Sequence, residues 1–118
     1  MTRVRFHGAA LDELSNEVSY YAAVAPGLAE RFVVAMENAT RLATDFPLMG
    51  AMYKCGTRRV FPKRFPFSLV YLVRDDEIYI LVLAPFSKKP GYWRSRRHDA
   101  QHVARAVVPS QAASTLAC

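Results

Sequence analysis

The sequence predicts an α+β fold in which two helices lie on one sheet. Two observations predict it. Before Pro47 the apolar residues recur at three- and four-residue steps, whereas after it they gather into short strand-like runs. A third agrees with them: Pro26-Gly27, Pro47 and Pro85 fall where the pattern changes.

In chain order, Arg3-Val4-Arg5-Phe6 alternates polar and apolar residues and reads as a short half-buried strand, broken by His7-Gly8. Over residues 9–24 the stripe Leu11, Leu14, Val18 and Tyr21 predicts an amphipathic helix. Asp12, Glu13 and Glu17 lie in its first half, where the helix dipole favours acids. After Ala25-Pro26-Gly27 a second helix is expected over residues 28–45, with Phe32, Met36, Ala39, Ala43 and Phe46 on one stripe. Pro47 stops it and pushes Phe46 out of helical geometry. So short a break predicts an antiparallel helical hairpin. Residues 50–55 read as a loop or short strand, and residues 57–61 as a strand ending near Pro62. Residues 66–74 and 77–84 read as two long strands joined at Asp75-Asp76, a tight hairpin turn without the favoured glycine. Both runs are apolar on both faces, which predicts central strands covered by helices. From Ala100 onward the chain is Ala-rich and weakly patterned, so residues 98–118 are expected to form a loosely helical or disordered tail.

A chain of 118 residues is one domain, here residues 1–97 plus the tail, and can bury a core without metal or disulfide staples. No apolar stretch approaches the length of a membrane span, about 20 residues, and the first residues hold no apolar signal region. No glycine-rich phosphate loop occurs. Cys55 and Cys118 with His7, His98 and His102 do not make a zinc pattern, so no metal and no cofactor is expected. A reducing cytoplasm is the expected setting.

Charge is the positive clue. The net charge is +6, yet residues 1–53 carry four basic against six acidic residues, and residues 54–97 carry eleven against three. The basicity should therefore form a face that attracts phosphates or an acidic polypeptide. Arg58 and Arg59 are adjacent on a strand and should point to opposite faces of the sheet. Lys63 and Arg64 follow in a Pro-flanked bend. Lys88, Lys89, Arg94, Arg96 and Arg97 are interleaved with Tyr92 and Trp93 after the last strand. Arginine beside aromatics suits stacked bases, phosphates or the carboxylates of a protein partner. Tyr92 and Trp93 read equally well as a cap over the end of the sheet. No pair of carboxylates stands out for acid–base work.

An ordered set of short motifs then becomes specific. Tyr20-Tyr21, Pro26-Gly27-Leu28, Arg31-Phe32, Asp45-Phe46-Pro47, Arg58-Arg59, the run from Phe65 to Tyr71 and the run from Lys89 to Arg96 follow one another across residues 3–97. Together they resemble the RelE/ParE toxin superfamily, and the Pro90-Gly91-Tyr92-Trp93 ending is similar to its ParE-like, plasmid-stabilisation branch. The resemblance implies two N-terminal helices on a twisted, mainly antiparallel sheet. It also implies a bacterial type II toxin–antitoxin module, whose antitoxin wraps the toxin with an acidic, partly disordered C-terminal segment. In this superfamily the target is DNA gyrase for ParE-like members, and mRNA in the ribosomal A site for RelE-like endoribonucleases. Ser68 stands where ribonuclease-type relatives often carry a basic residue, and Pro85-Phe86-Ser87 where many relatives have a histidine and arginines. The first departure points away from ribonuclease chemistry and to a non-catalytic gyrase inhibitor; the second is the ground for a non-toxic member. The alternatives are a ribosome-dependent ribonuclease using Arg58, Arg59, Arg64, Lys88, Lys89 and Tyr92, and a non-toxic member that only binds antitoxin. The expected contact residues for partner and target are Arg58, Arg59, Arg64, Tyr92, Trp93, Arg94 and Arg96.

Overall fold

The computed structural model describes residues 2–98. The expected tail, with His102 and Cys118, lies outside them apart from His98. Among the described residues no helix is long and apolar enough to cross a membrane.

The elements follow in the order strand, two helices, four strands. They are β1 (Arg3–Phe6), α1 (Gly8–Val24), α2 (Leu28–Asp45), β2 (Ala51–Met52), β3 (Arg58–Val60), β4 (Phe67–Arg74) and β5 (Glu77–Pro85), with a 3₁₀ turn at Lys54–Gly56. The five strands form one sheet ordered β1-β5-β4-β3-β2. Only β1 runs parallel to its neighbour, Val4 opposite Ile78 and Phe6 opposite Ile80; the other pairs are antiparallel. A parallel pair needs a crossover of a dozen residues or more. Here the helical hairpin supplies it and so comes to lie on one face of the sheet.

Local chemistry fixes the helix ends. His7 caps α1 by accepting the Ala9 N–H on Nδ1 at 3.0 Å. Gly27, with φ +78°, makes the left-handed turn into α2 that a side chain would resist. Asp75 takes the positive φ, +50°, that a glycine would otherwise supply in the β4–β5 turn.

The main core sits between helices and sheet: Ala10, Phe32, Met36, Ala39 and Ala43 from the helices meet Val60, Phe67, Leu69, Tyr71, Ile78, Ile80 and Leu83. Leu14, Val18 and Tyr21 pack at its margin, as the stripe of α1 predicts. Two stripe residues do not join it. Leu11 is exposed and Ala10 takes the inward position, while Phe46, turned away by the proline that follows it, is exposed too. The expectation that helices cover both faces of β4 and β5 is also corrected. On the second face the described residues packed on Val70, Leu72, Tyr79, Leu81 and Val82 include Trp93 and Tyr53, neither of them on a helix.

Candidate functional site

The second face of the sheet owes its cover to the segment after β5. Pro85 ends the strand, and Gly91 adopts φ +87°. The N–H groups of Arg94, Arg96, Arg97 and His98 then donate to carbonyls three residues back, winding residues 91–98 into tight turns. These turns drive the Trp93 side chain into the sheet, where it is 1% exposed and lies 5.9 Å from the Tyr53 ring.

Beside that pair opens a cavity of about 110 Å³. Its lining includes Tyr53, Arg59, Ser68, Lys88, Lys89 and Tyr92. The guanidinium carbon of Arg59 stands 4.0 Å from the centre of the Tyr53 ring and 5.1 Å from that of Phe61. Such contacts hold the cation by its face and leave its in-plane donors for other partners. Its Nε is buried and has no hydrogen-bond partner. The ammonium of Lys88 sits 5.0 Å from the Tyr92 ring centre. Among the described residues that line the cavity there is no carboxylate and no imidazole. Burial pushes the Tyr92 phenol above its ordinary value, Glu13 adds to the rise and Arg96 opposes it, so the hydroxyl is neutral near pH 7.

Five of the expected site residues therefore line one cavity: Arg59, Lys88, Lys89, Tyr92 and the buried Trp93. Others are placed differently. Arg58 lies on the opposite side of β3 from Arg59, where its Nη1 donates to the carbonyls of Leu48 and Gly50, each at 2.9 Å. It braces the loop before β2. Arg64 is exposed in the turn after Pro62, with φ +73°, and does not line the cavity. Trp93, expected either as a contact anchor or as a cap over the sheet, is a core residue, and its burial supports the cap.

Arg96 is committed within the chain. Its Nη2 and Nη1 meet Oε2 and Oε1 of Glu13 at 2.8 and 3.0 Å, and Nη1 also donates to the Leu81 carbonyl at 2.9 Å. Arg94 and Tyr92 are exposed. The sequence reading missed Tyr53, Phe61 and Glu13. Phe61 was legible in principle, because it stands two residues after Arg59 and so shares its face of the chain. Nothing in the order of residues signals the approach of Tyr53 or the long-range pairing of Glu13.

A family model described as "ParE toxin of type II toxin-antitoxin system, parDE" matches residues 4–87. No curated protein matches the chain. Among solved structures, a chain of the "Chromosomal ParDE TA system from P. aeruginosa" is similar at a TM-score of 0.62 and 21% identity, covering 72% of this chain and 96% of that one.

Proposed function

Because the chain belongs to the ParE toxin family of type II toxin–antitoxin systems, we propose that it acts as a cytoplasmic toxin that binds and inhibits DNA gyrase without catalysis, and that a cognate antitoxin neutralises it through an acidic, extended segment. The observation that carries the choice of target is the make-up of the basic cavity. Cleaving RNA through its 2′-hydroxyl calls for a group that takes a proton near neutral pH. The cavity offers Arg59, Lys88, Lys89 and a Tyr92 phenol held neutral, with no carboxylate or imidazole among its described lining. That set recognises charge well and moves protons poorly. Exposed Arg64, Tyr92 and Arg94 are the side chains of the expected contact type that a protein target can reach.

A second reading, a ribosome-dependent endoribonuclease, draws on the convergence of Arg59, Lys88, Lys89 and Tyr92 around one opening, since clustered cations stabilise a phosphorane-like transition state. Two assays on the purified chain separate the readings. The proposal expects loss of gyrase supercoiling with trapped cleavage complexes, weakened at least tenfold by Arg94→Ala or Tyr92→Ala, and no codon-dependent cleavage on programmed ribosomes. Ribosome-dependent cleavage lost on Arg59→Ala or Lys88→Ala, with gyrase untouched, would overturn it. Antitoxin binding with inactivity in both assays would mark a chain that binds its antitoxin and harms nothing.

A further inference from the structure

Arg59 is an arginine with its recognition capacity unspent. Tyr53 and Phe61 fix the plane of its guanidinium, and its buried Nε lacks an acceptor. The ion pairs found among the described residues join Arg5 to Glu77 and Arg96 to Glu13, and neither involves Arg59, Lys88 or Lys89. Among the described residues that line this small opening there are thus three cations and no carboxylate. A buried donor without a partner is unfavourable, and a guanidinium fork matches an oxyanion in shape as well as charge.

We propose that this cavity is an oxyanion site that receives a single carboxylate side chain from an extended acidic peptide, the antitoxin segment, while an apolar side chain of the same peptide covers Phe61 and Phe86. The proposal rests on the toxin–antitoxin reading above and assigns that partner a specific seat. Size favours a single group: about 110 Å³ is well below the roughly 300–1,000 Å³ of pockets that enclose whole small ligands. The rim favours a peptide over a nucleic acid. Phe61 and Phe86 are 49% and 60% exposed and meet at 66°, edge to face, so they offer a cleft for an aliphatic side chain and not parallel faces for successive bases. In an extended peptide, side chains two residues apart face the same way at about 7 Å spacing. One can enter the cavity as the next lies on the phenylalanine pair.

Trp93 is the sole tryptophan and lines the cavity, so its emission reports occupancy. The probe is an acetylated, amidated hexapeptide of alternating glutamate and leucine, titrated into the full chain. The expected result is a saturable change in Trp93 emission that a glutamine–leucine peptide does not give. Affinity should fall at least tenfold in Arg59→Gln and several-fold in Lys88→Gln, and stay unchanged in Arg41→Gln on the far side of the fold. If circular dichroism shows Arg59→Gln unfolded, exposed Lys88 and Lys89 carry the test as glutamine variants. Equal affinity in folded Arg59→Gln and Lys88→Gln sinks the site, as does an equal loss in Arg41→Gln. A twelve-residue oligouridylate that binds more tightly than the peptide and depends on Arg59 replaces it with a nucleic-acid site. Gyrase assays on the same samples keep the two claims apart. Peptide binding without gyrase inhibition removes the proposed target and leaves the seat standing; gyrase inhibition by a chain whose Arg59→Gln form is still fully neutralised by antitoxin does the reverse.

Discussion

The Tyr71 hydroxyl donates to the Pro47 carbonyl at 2.7 Å, from a side chain with no exposed surface. The bond ties the central strand to the chain leaving α2. Gly50 permits this close approach, since a Cβ there would run into the Tyr71 hydroxyl. Tyr71→Phe should cost about 1 kcal/mol, the usual net worth of such a bond, and lower the melting temperature by roughly 4–8 °C for a domain of this size. Gly50→Ala should cost more, because the added methyl would displace the fully buried Tyr71 ring. An alanine variant as stable as the parent in a thermal melt would contradict the packing described. The same phenol makes a pH prediction. Burial holds Tyr71 above its ordinary value of 10.0, against opposing pulls from the Gly50 backbone and Arg58. The folded chain therefore keeps this proton where the unfolded chain has begun to lose it. The stability it brings is complete below about pH 10 and is lost as pH rises through the raised value. Urea unfolding at pH 9 and 11 should show part of the alkaline loss missing in Tyr71→Phe.

Among the elements, β5 carries the most unusual edge. β1 covers it only as far as Ile80, and at Leu81 the register with β4 shifts by a residue. Beyond that point its outward backbone groups would be open to another strand. Side chains close them instead: Glu13 Oε1 accepts the Leu83 N–H at 3.1 Å, and Arg96 takes the Leu81 carbonyl. One ion pair thus ties α1, β5 and the C-terminal turns together. Glu13→Gln or Arg96→Gln should each destabilise by about 1.5–3 kcal/mol, the range for hydrogen bonds to charged groups. The double variant should lose clearly less than the two losses added, because the pair acts as a unit. Strict additivity in denaturant melts would mean the groups are not coupled. None of this was legible in the sequence, where Glu13 reads as one more surface acid on an amphipathic helix. What was legible depended on period. The stripes of α1 and α2 and the runs of β4 and β5 announce themselves because burial repeats at a fixed spacing. Leu11 and Phe46 mislead because spacing alone does not say that Ala10 takes the inward position at the start of α1, or that Phe46, the cap before Pro47, has left helical geometry. The basic cavity was half legible. Lys88, Lys89 and Tyr92 are neighbours in the chain, but their meeting with Arg59 and Tyr53 depends on strand order and on where the turns after Pro85 set Trp93.

On the scale of the whole molecule, charge is divided along the chain as the layers are. Residues 1–53, which include both helices, hold a small acidic excess, while residues 54–97 hold eleven basic against three acidic residues and build the cavity side. Long-range attraction of an acidic antitoxin to that side should set the rate of encounter more than the lifetime of the complex. Stopped-flow association should therefore slow at least several-fold between 50 and 500 mM salt, as screening shortens to a few ångströms, with a much smaller change in dissociation. A dissociation rate that carries most of the salt effect would mean that the wider basic face, and not the cavity cations alone, is buried in the interface. The parallel pairing of β1 with β5 has a different consequence, one of timing. Arg3 and Glu77 are register partners, so the first strand made has no neighbour until nearly the last strand is made. On a translating ribosome, at roughly 5–20 residues per second, the helical hairpin can form early, but the sheet cannot close until β5 has cleared the exit tunnel. A chain terminated before β5 would leave β1 without its pairing partner and the edge of β4 open. Folding is thus close to all-or-none, because the sheet closes in one late step that joins its first strand to β5.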